Sequence, residues 1–279
     1  MRRERLERLW RAFGNGLFLA IIGIGGTLMA MTVFPAIALA TRDPMRRRRR
    51  IQYAIHASFR LYCGAIHALR VADVDMVGGE RLRGLRGTLI VANHPSLLDV
   101  VMIMSQVPNV QCVVKGGLWR NPFFRLTVEG AGYIRNDLDP EALMAACVDT
   151  LKAGNNLIVF PEGTRSVAGQ PMRLRRGFAN VATLAGADVQ LLTITCEPPI
   201  LNKGNPWWRV PETRTRFKLS VGERLDIGQF LRYRYRALAA RKLVSFVEHY
   251  YSETLGYGKP GTGAEAPDRD GLEARRFVA

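Results

Sequence analysis

Apolar and polar positions divide the chain into three stretches. The first is a run of thirty uncharged residues, 12–41. It exceeds the ~20 apolar residues that a membrane-spanning helix needs. The second, from about residue 51 to 257, alternates short apolar or β-branched runs with helical segments. Runs at 88–92, 110–114, 156–160, 189–196 and 216–221 are bounded by turn residues and predict strands. Asp139-Pro140-Glu141 supplies an N-cap, a proline at the first helical position and an early acid, and Gly154 closes that helix after Lys152. Further helices are predicted over 176–185, stopping near Gly186, and over 233–255, with Leu238, Val244 and Val247 on the apolar side. The third stretch, 258–279, is rich in Gly, Pro, Asp, Glu and Arg and is expected to be disordered. The fold class that follows is α/β, a mixed, largely parallel sheet covered by helices, with an N-terminal membrane-binding helical segment. The expected division is 1–50 for the membrane-anchoring segment, 51–257 for the folded body and 258–279 for the tail. In such sheets, sites form where loops leave the carboxyl ends of the strands.

Charge sharpens the first stretch. Arg2, Arg3, Arg5, Arg8 and Arg11 precede the uncharged run; Arg42 and the five arginines 46–50 follow it. Ala38-Leu39-Ala40 fits a signal-cleavage site, but the run outlasts a usual h-region and the arginine block would resist export, so retention is expected. Gly25-Gly26 and Pro35 suit a bent hairpin that enters one leaflet and returns on the same side, bringing both arginine clusters to the anionic cytoplasmic leaflet. A single tilted span is the alternative. The net charge of +16 draws the surface to polyanions without choosing among nucleic acid, anionic lipid and phosphorylated substrates. Trp207-Trp208 beside Arg209 fits a stacking patch, an interfacial anchor or packing, yet no nucleic-acid-binding signature accompanies it, and no nucleic acid is expected as partner. Cys63, Cys112, Cys147 and Cys196 form no C-x-x-C and predict neither disulfides nor zinc, which fits a reducing, cytoplasm-facing setting.

Two loops carry the chemistry. Strand 88–92 runs into Asn93-His94-Pro95-Ser96-Leu97-Leu98-Asp99, with Pro95 suited to the first helical turn. A spacing of five in one straight helix would put His94 and Asp99 about 140° apart. With His94 in the loop, its ring can fold back so that the carboxylate accepts from one imidazole nitrogen. That bond fixes the tautomer while the other nitrogen takes a proton. The result is a base with its orienter and no protein nucleophile, since Ser96 lacks a nucleophile elbow. H-x4-D alone fits a capped helix start with a satisfied histidine equally well. The second loop follows strand 156–160 and reads Pro161-Glu162-Gly163-Thr164-Arg165-Ser166. Gly163 permits close backbone approach, Thr164 and Ser166 offer hydroxyls, and Arg165 offers a planar fork for phosphate. Glu162 suits positioning Arg165 or binding a substrate hydroxyl. Arg175 and Arg176, opening the next helix, are further anion contacts. Arg135, in Gly132-Tyr133-Ile134-Arg135, is another cation for the phosphate.

At these residues the sequence resembles the 1-acylglycerol-3-phosphate acyltransferase family, the lysophospholipid and glycerolipid acyltransferases. The blocks occur in order: Asn93-His94-Pro95-Ser96-x-x-Asp99, then Gly132-Tyr133-Ile134-Arg135, then Phe160-Pro161-Glu162-Gly163-Thr164-Arg165-Ser166. The resemblance covers residues 66–196, about half the chain. A proline that the family's fourth block places within an apolar strand is absent from 189–194, and Glu197-Pro198-Pro199 follows instead. The resemblance implies a glycerol-3-phosphate acyltransferase-like fold and acyl transfer to the free hydroxyl of a lysophospholipid, by default 1-acylglycerol-3-phosphate. His94 would be general base and Asp99 its orienter. Arg135, Glu162, Gly163, Thr164 and Arg165 would bind the acceptor near its phosphate. Acyl-CoA or acyl carrier protein would be the co-substrate, with no cofactor and no metal. The implied setting is the cytoplasmic face of the inner membrane, with membrane lipids and the anionic bilayer surface as partners. Another lysolipid acceptor (lyso-ornithine or a specialised polyene lipid), or a catalytically silent lipid-binding protein of the same fold, is the alternative.

Overall fold

The computed structural model describes residues 2–166 and 172–256. Helix α1 (Arg2–Ala20), a single π-helical turn (Ile21–Gly25) and α2 (Gly26–Ala40) form one continuous rod. A turn at 41–43 leads into α3 (Pro44–Ala68), which returns antiparallel to it. Trp10 Nε1 donates to Leu69 O at 3.1 Å, and the Phe18 and Tyr62 rings meet edge-on with centroids 5.2 Å apart. The apolar run therefore does not fold back on itself at Gly25-Gly26 or Pro35, as the hairpin reading expects; the whole run is one arm, and α3 is the other. The glycines are absorbed by the π turn, where Thr27 Oγ1 donates to Gly23 O, and Pro35 lies inside α2. The chain reverses where Asp43 caps the Arg46 N–H and Pro44 takes the first helical position. Arg47 Nε donates to Thr41 O and Arg50 to Thr41 Oγ1, so two of the five arginines close the turn itself.

The remaining elements follow as β1 (Asp73–Val77), a 3-10 turn (Gly79–Leu82), β2 (Leu89–Ala92), α4 (Asp99–Met104), β3 (Val110–Val114), α5 (Gly117–Arg120), α6 (Arg125–Ala131), β4 (Ile134–Arg135), α7 (Pro140–Lys152), β5 (Asn156–Val159), α8 (Gly177–Ala185), β6 (Val189–Glu197), β7 (Arg216–Leu225), α9 (Gly228–Leu231) and α10 (Arg236–Leu255). The strands make one mixed, largely parallel sheet in the order β1-β7-β6-β2-β5-β3-β4, in which only β6 and β7 pair antiparallel among the described residues. β2 is central, and all four of its side chains are fully buried. Ile90 and Ala92 join Ile55, Ile66 and Ile103 under α3 and α4, while Leu89 and Val91 face Leu151, Phe178 and Leu243 of α7, α8 and α10. A strand covered on both faces reads as an unbroken apolar run, which is why it was visible in the sequence.

β1 and β4 were not anticipated. β1 alternates acids with apolar residues at the sheet edge, and β4 has only two residues. The 50/51 division falls inside α3. Phe18, Ala30 and Phe34 join the same core as Ile90, so the first fifty residues pack on the body instead of standing apart from it. The tail expected at 258–279 lies outside the described residues.

Candidate active site

Because β6, β2 and β5 lie side by side and parallel, the segments that leave them meet at one edge. Asn93 ends β2 by imitating a further rung. Its Nδ2 donates to Ile194 O at 2.8 Å and its Oδ1 accepts from Ile194 N at 2.7 Å. On the other side, the His94 N–H points at Glu162 Oε1 (3.2 Å) and Ser166 Oγ (3.1 Å), and the Ser166 N–H donates to His94 O at 2.7 Å. Ser166 Oγ donates to Glu162 Oε1 at 2.5 Å. Glu162 thus clasps the two loops together, a structural use that its sequence did not announce.

His94 Nδ1 lies 2.7 Å from Asp99 Oδ2, and the same oxygen accepts the Ser96 N–H at 2.7 Å. The histidine ring stacks on Phe160 with centroids 4.1 Å apart and planes 19° from parallel. Its side chain is 20% exposed and that of Asp99 is 0% exposed. Burial pushes the Asp99 carboxyl up to about 6, and the His94 and Ser96 hydrogen bonds only partly offset this. Burial also raises Glu162. The helix after His94 starts at Asp99, later than Pro95 suggested, because the Ser96 N–H is turned back to the carboxylate. The first N–H groups after His94 are committed: Ser96 to Asp99, and Leu97 to Leu201 O at 3.3 Å. Ser96 Oγ is buried and donates to Ile200 O at 3.1 Å, which leaves it no part as a nucleophile.

Gly163 adopts φ +68°, and the Arg175 side chain lies directly over its α-carbon. Thr164 is exposed on the same loop, and Arg165 donates to Leu201 O at 2.6 Å. Arg175 is drawn in further by its N–H to Pro161 O at 2.8 Å, whereas Arg176 acts on Glu248 of α10. Arg135 stands elsewhere. β4 is the third neighbour of β2, about 14 Å away at normal strand spacing, and Arg135 is paired with Asp137 at 2.9 Å beside Trp119. It borders a separate cavity of about 510 Å³ lined also by Arg48, Gln111 and Tyr133. Two neighbours of the site carry no signal in the sequence. Exposed Lys115 follows β3, and because β3 pairs with β5 the strand order puts it beside the loop after β5. The 200–201 backbone reaches the site from β6. Among the described residues, no group of three His, Cys, Asp or Glu side chains could hold a metal ion.

The His94–Asp99 pair and the glycine- and arginine-bearing loop 161–166 meet at the exits of parallel strands, and residues 73–197, which contain both, match the family model described as Acyltransferase. The curated relatives that this chain resembles are 1-acyl-sn-glycerol-3-phosphate acyltransferases. It is 26% identical over 208 residues to the chloroplastic 1-acyl-sn-glycerol-3-phosphate acyltransferase LPAT1 of Arabidopsis thaliana, covering 68% of this chain and 56% of that one. It is 30% identical over 118 residues to the 1-acyl-sn-glycerol-3-phosphate acyltransferase of Helicobacter pylori, covering 40% of this chain and 48% of that one. The chain thus spans about half the length of the curated relatives it matches. The crystal structure of the 1-acyl-sn-glycerophosphate (LPA) acyltransferase PlsC from Thermotoga maritima shares the fold, with a TM-score of 0.68 at 19% identity, covering 91% of this chain and 98% of that one.

Proposed function

We propose that the protein transfers a fatty acyl group from the thioester of acyl-CoA or acyl carrier protein to the free hydroxyl of 1-acylglycerol-3-phosphate, giving phosphatidic acid. The carrying observation is the 2.7 Å contact between His94 Nδ1 and the sealed Asp99 carboxylate. With Nδ1 donating to Asp99, Nε2 takes the proton of the acceptor hydroxyl as its oxygen attacks the thioester carbon. The tetrahedral intermediate collapses, the carbon–sulfur bond breaks, and the departing thiolate recovers the proton from Nε2. An alcohol needs this help at neutral pH, which is worth ~10²–10⁴-fold. A thioester is already activated, so no acyl-enzyme is required. Arg165, Thr164 and the Gly163 backbone hold the acceptor phosphate, with Arg175 and Lys115 adding positive charge along the same rim.

The protein works on the cytoplasmic face of the inner membrane, against anionic lipid. Support comes from one helix, Leu6–Ala40, that is long and apolar enough to cross a membrane and exposes Leu6, Leu9, Phe13, Leu17, Ile24, Leu28 and Met31. The test is mass spectrometry of the lipids made by purified protein from 1-acylglycerol-3-phosphate and each donor. His94→Ala is expected to lose at least ~10²-fold in rate while vesicle binding is kept. Arg165→Ala is expected to raise the KM for the acceptor more than that for the donor. Undiminished transfer by His94→Ala would refute the base, and equal effects on the two KM values would refute the phosphate ligand.

A further inference from the structure

The segment joining β6 to β7 is tied at both ends. Toward the amino-terminal rod, Arg11 donates to Glu212 O at 2.5 Å and Asn15 Nδ2 donates to Trp207 O. The Trp207 ring covers Gly16 so closely that a Cβ there would fall 2.6 Å from it. Arg11 and Asn15 are only 8% and 5% exposed, on a helix whose outer face is apolar. Burying a guanidinium and an amide is unfavourable, and Arg11 Nε has no hydrogen-bond partner among the described residues, so the bonds that Arg11 and Asn15 do make to Glu212 O and Trp207 O hold the segment in one place.

Toward the site, Ile200 O accepts Ser96 Oγ, and Leu201 O accepts both the Leu97 N–H and the Arg165 guanidinium. Leu201 has φ +54°, left-handed backbone that a branched side chain rarely adopts, and the residue is buried. Such a conformation persists only where its surroundings enforce it. Its effect is to aim a carbonyl at Arg165. A neutral carbonyl fixes the guanidinium without cancelling its charge, whereas a carboxylate partner, as Asp137 is to Arg135, would compete with phosphate.

We propose that Arg11 and Asn15 are positioning residues for Arg165, acting through the 198–212 strap and the Leu201 carbonyl. The proposal rests on Arg165 being the ligand of the acceptor phosphate. It is tested in the full chain by measuring kcat, both KM values and co-sedimentation with phosphatidylglycerol vesicles for Asn15→Leu, Arg165→Ala and the double variant. Asn15→Leu is expected to raise the acceptor KM about tenfold, with donor KM and vesicle binding nearly unchanged. In the Arg165→Ala background it should add nothing, because the two act as one unit. Independent, multiplying effects would overturn the proposal, as would an equal loss for both substrates or a loss that tracks vesicle binding. Should Asn15→Leu fail to fold, Arg11→Gln and Arg11→Lys carry the same test. Lysine can still reach Glu212 O and keeps the parent KM, while glutamine raises it; no difference between them refutes the link. If Arg165→Ala itself leaves the acceptor KM unchanged, the phosphate assignment falls instead.

Discussion

Asp99 illustrates how a single carboxylate serves the site at the expense of the fold. It is wholly buried, its Oδ1 has no partner among the described residues, and its pKa rises from 3.8 to about 6. The folded chain therefore binds a proton more tightly than the unfolded chain does. The stability this contributes is complete below pH 4 and is lost as pH rises through about 6, a change of roughly 3 kcal/mol at 1.36 kcal/mol per unit. The proposed transfer runs the other way, since a protonated Asp99 carries no charge to stabilise the imidazolium formed when Nε2 takes a proton; kcat/KM is expected to fall as pH drops through about 6. Asp99→Asn removes the ionisation. Thermal melts from pH 4 to pH 7 should show the variant gaining on the parent as pH rises while its transfer activity stays low. A constant offset between the two melting curves would mean that the carboxylate is not the titrating group.

The loop after β5 depends on backbone geometry as much as on its side chains. An alanine at Gly163 would bring its Cβ 2.9 Å from Arg175 Nε. The guanidinium can swing aside, but φ +68° cannot change without pulling the loop from His94, so the left-handed backbone sets a cost of about 1–2 kcal/mol. Urea melts of Gly163→Ala should show that loss together with a raised acceptor KM, and parental stability would contradict it. The loop was legible beforehand because glycine, hydroxyls and arginine follow an apolar run directly. His94 and Asp99 were legible for the same reason, being five positions apart at a strand exit. Contacts that depend on strand order were not legible. β2 lies between β6 and β5, and nothing local in the chain says so; the Asn93–Ile194 rungs and the Leu201 carbonyl were therefore invisible. The place of Arg135 was hidden in the same way, since its block precedes the Glu162 loop in sequence while its strand, β4, lies two places beyond β5 at the sheet edge. Gly25-Gly26 read as a break because a π turn and a bend share the same residues.

On the proposed reading, the way the protein meets lipid follows from how its first forty residues are seated. The exposed apolar stripe from Leu6 to Met31 recurs every three or four residues and is roughly 38 Å long at 1.5 Å per residue. Phe123, Leu126, Trp207 and Trp208 extend it sideways, a patch larger than a soluble monomer ordinarily leaves open. The inner face of the rod is fastened along its length, by Trp10 to Leu69, Asn15 to Trp207, Thr27 to Phe123 and Phe34 against Gly130. Crossing the bilayer would drag α3 with it, and Arg46, Arg48, Arg49 and Arg60 are exposed on that arm. Each arginine in hydrocarbon costs about 2.5–3.5 kcal/mol or more. Lying in the interface instead buries the stripe and leaves those arginines among anionic headgroups. Leu9→Asp with Phe13→Asp is thus expected to cut co-sedimentation with phosphatidylglycerol vesicles more than ~10-fold, since two buried apolar side chains are lost and two repelled charges gained. Both positions are more than 60% exposed, so the melting temperature should barely move, and a water-soluble short-chain acceptor should still be acylated. Alkaline carbonate should strip the parent protein from vesicles; retention after that wash, or wild-type binding by the double variant, would mean that the rod leaves its seat and crosses the membrane.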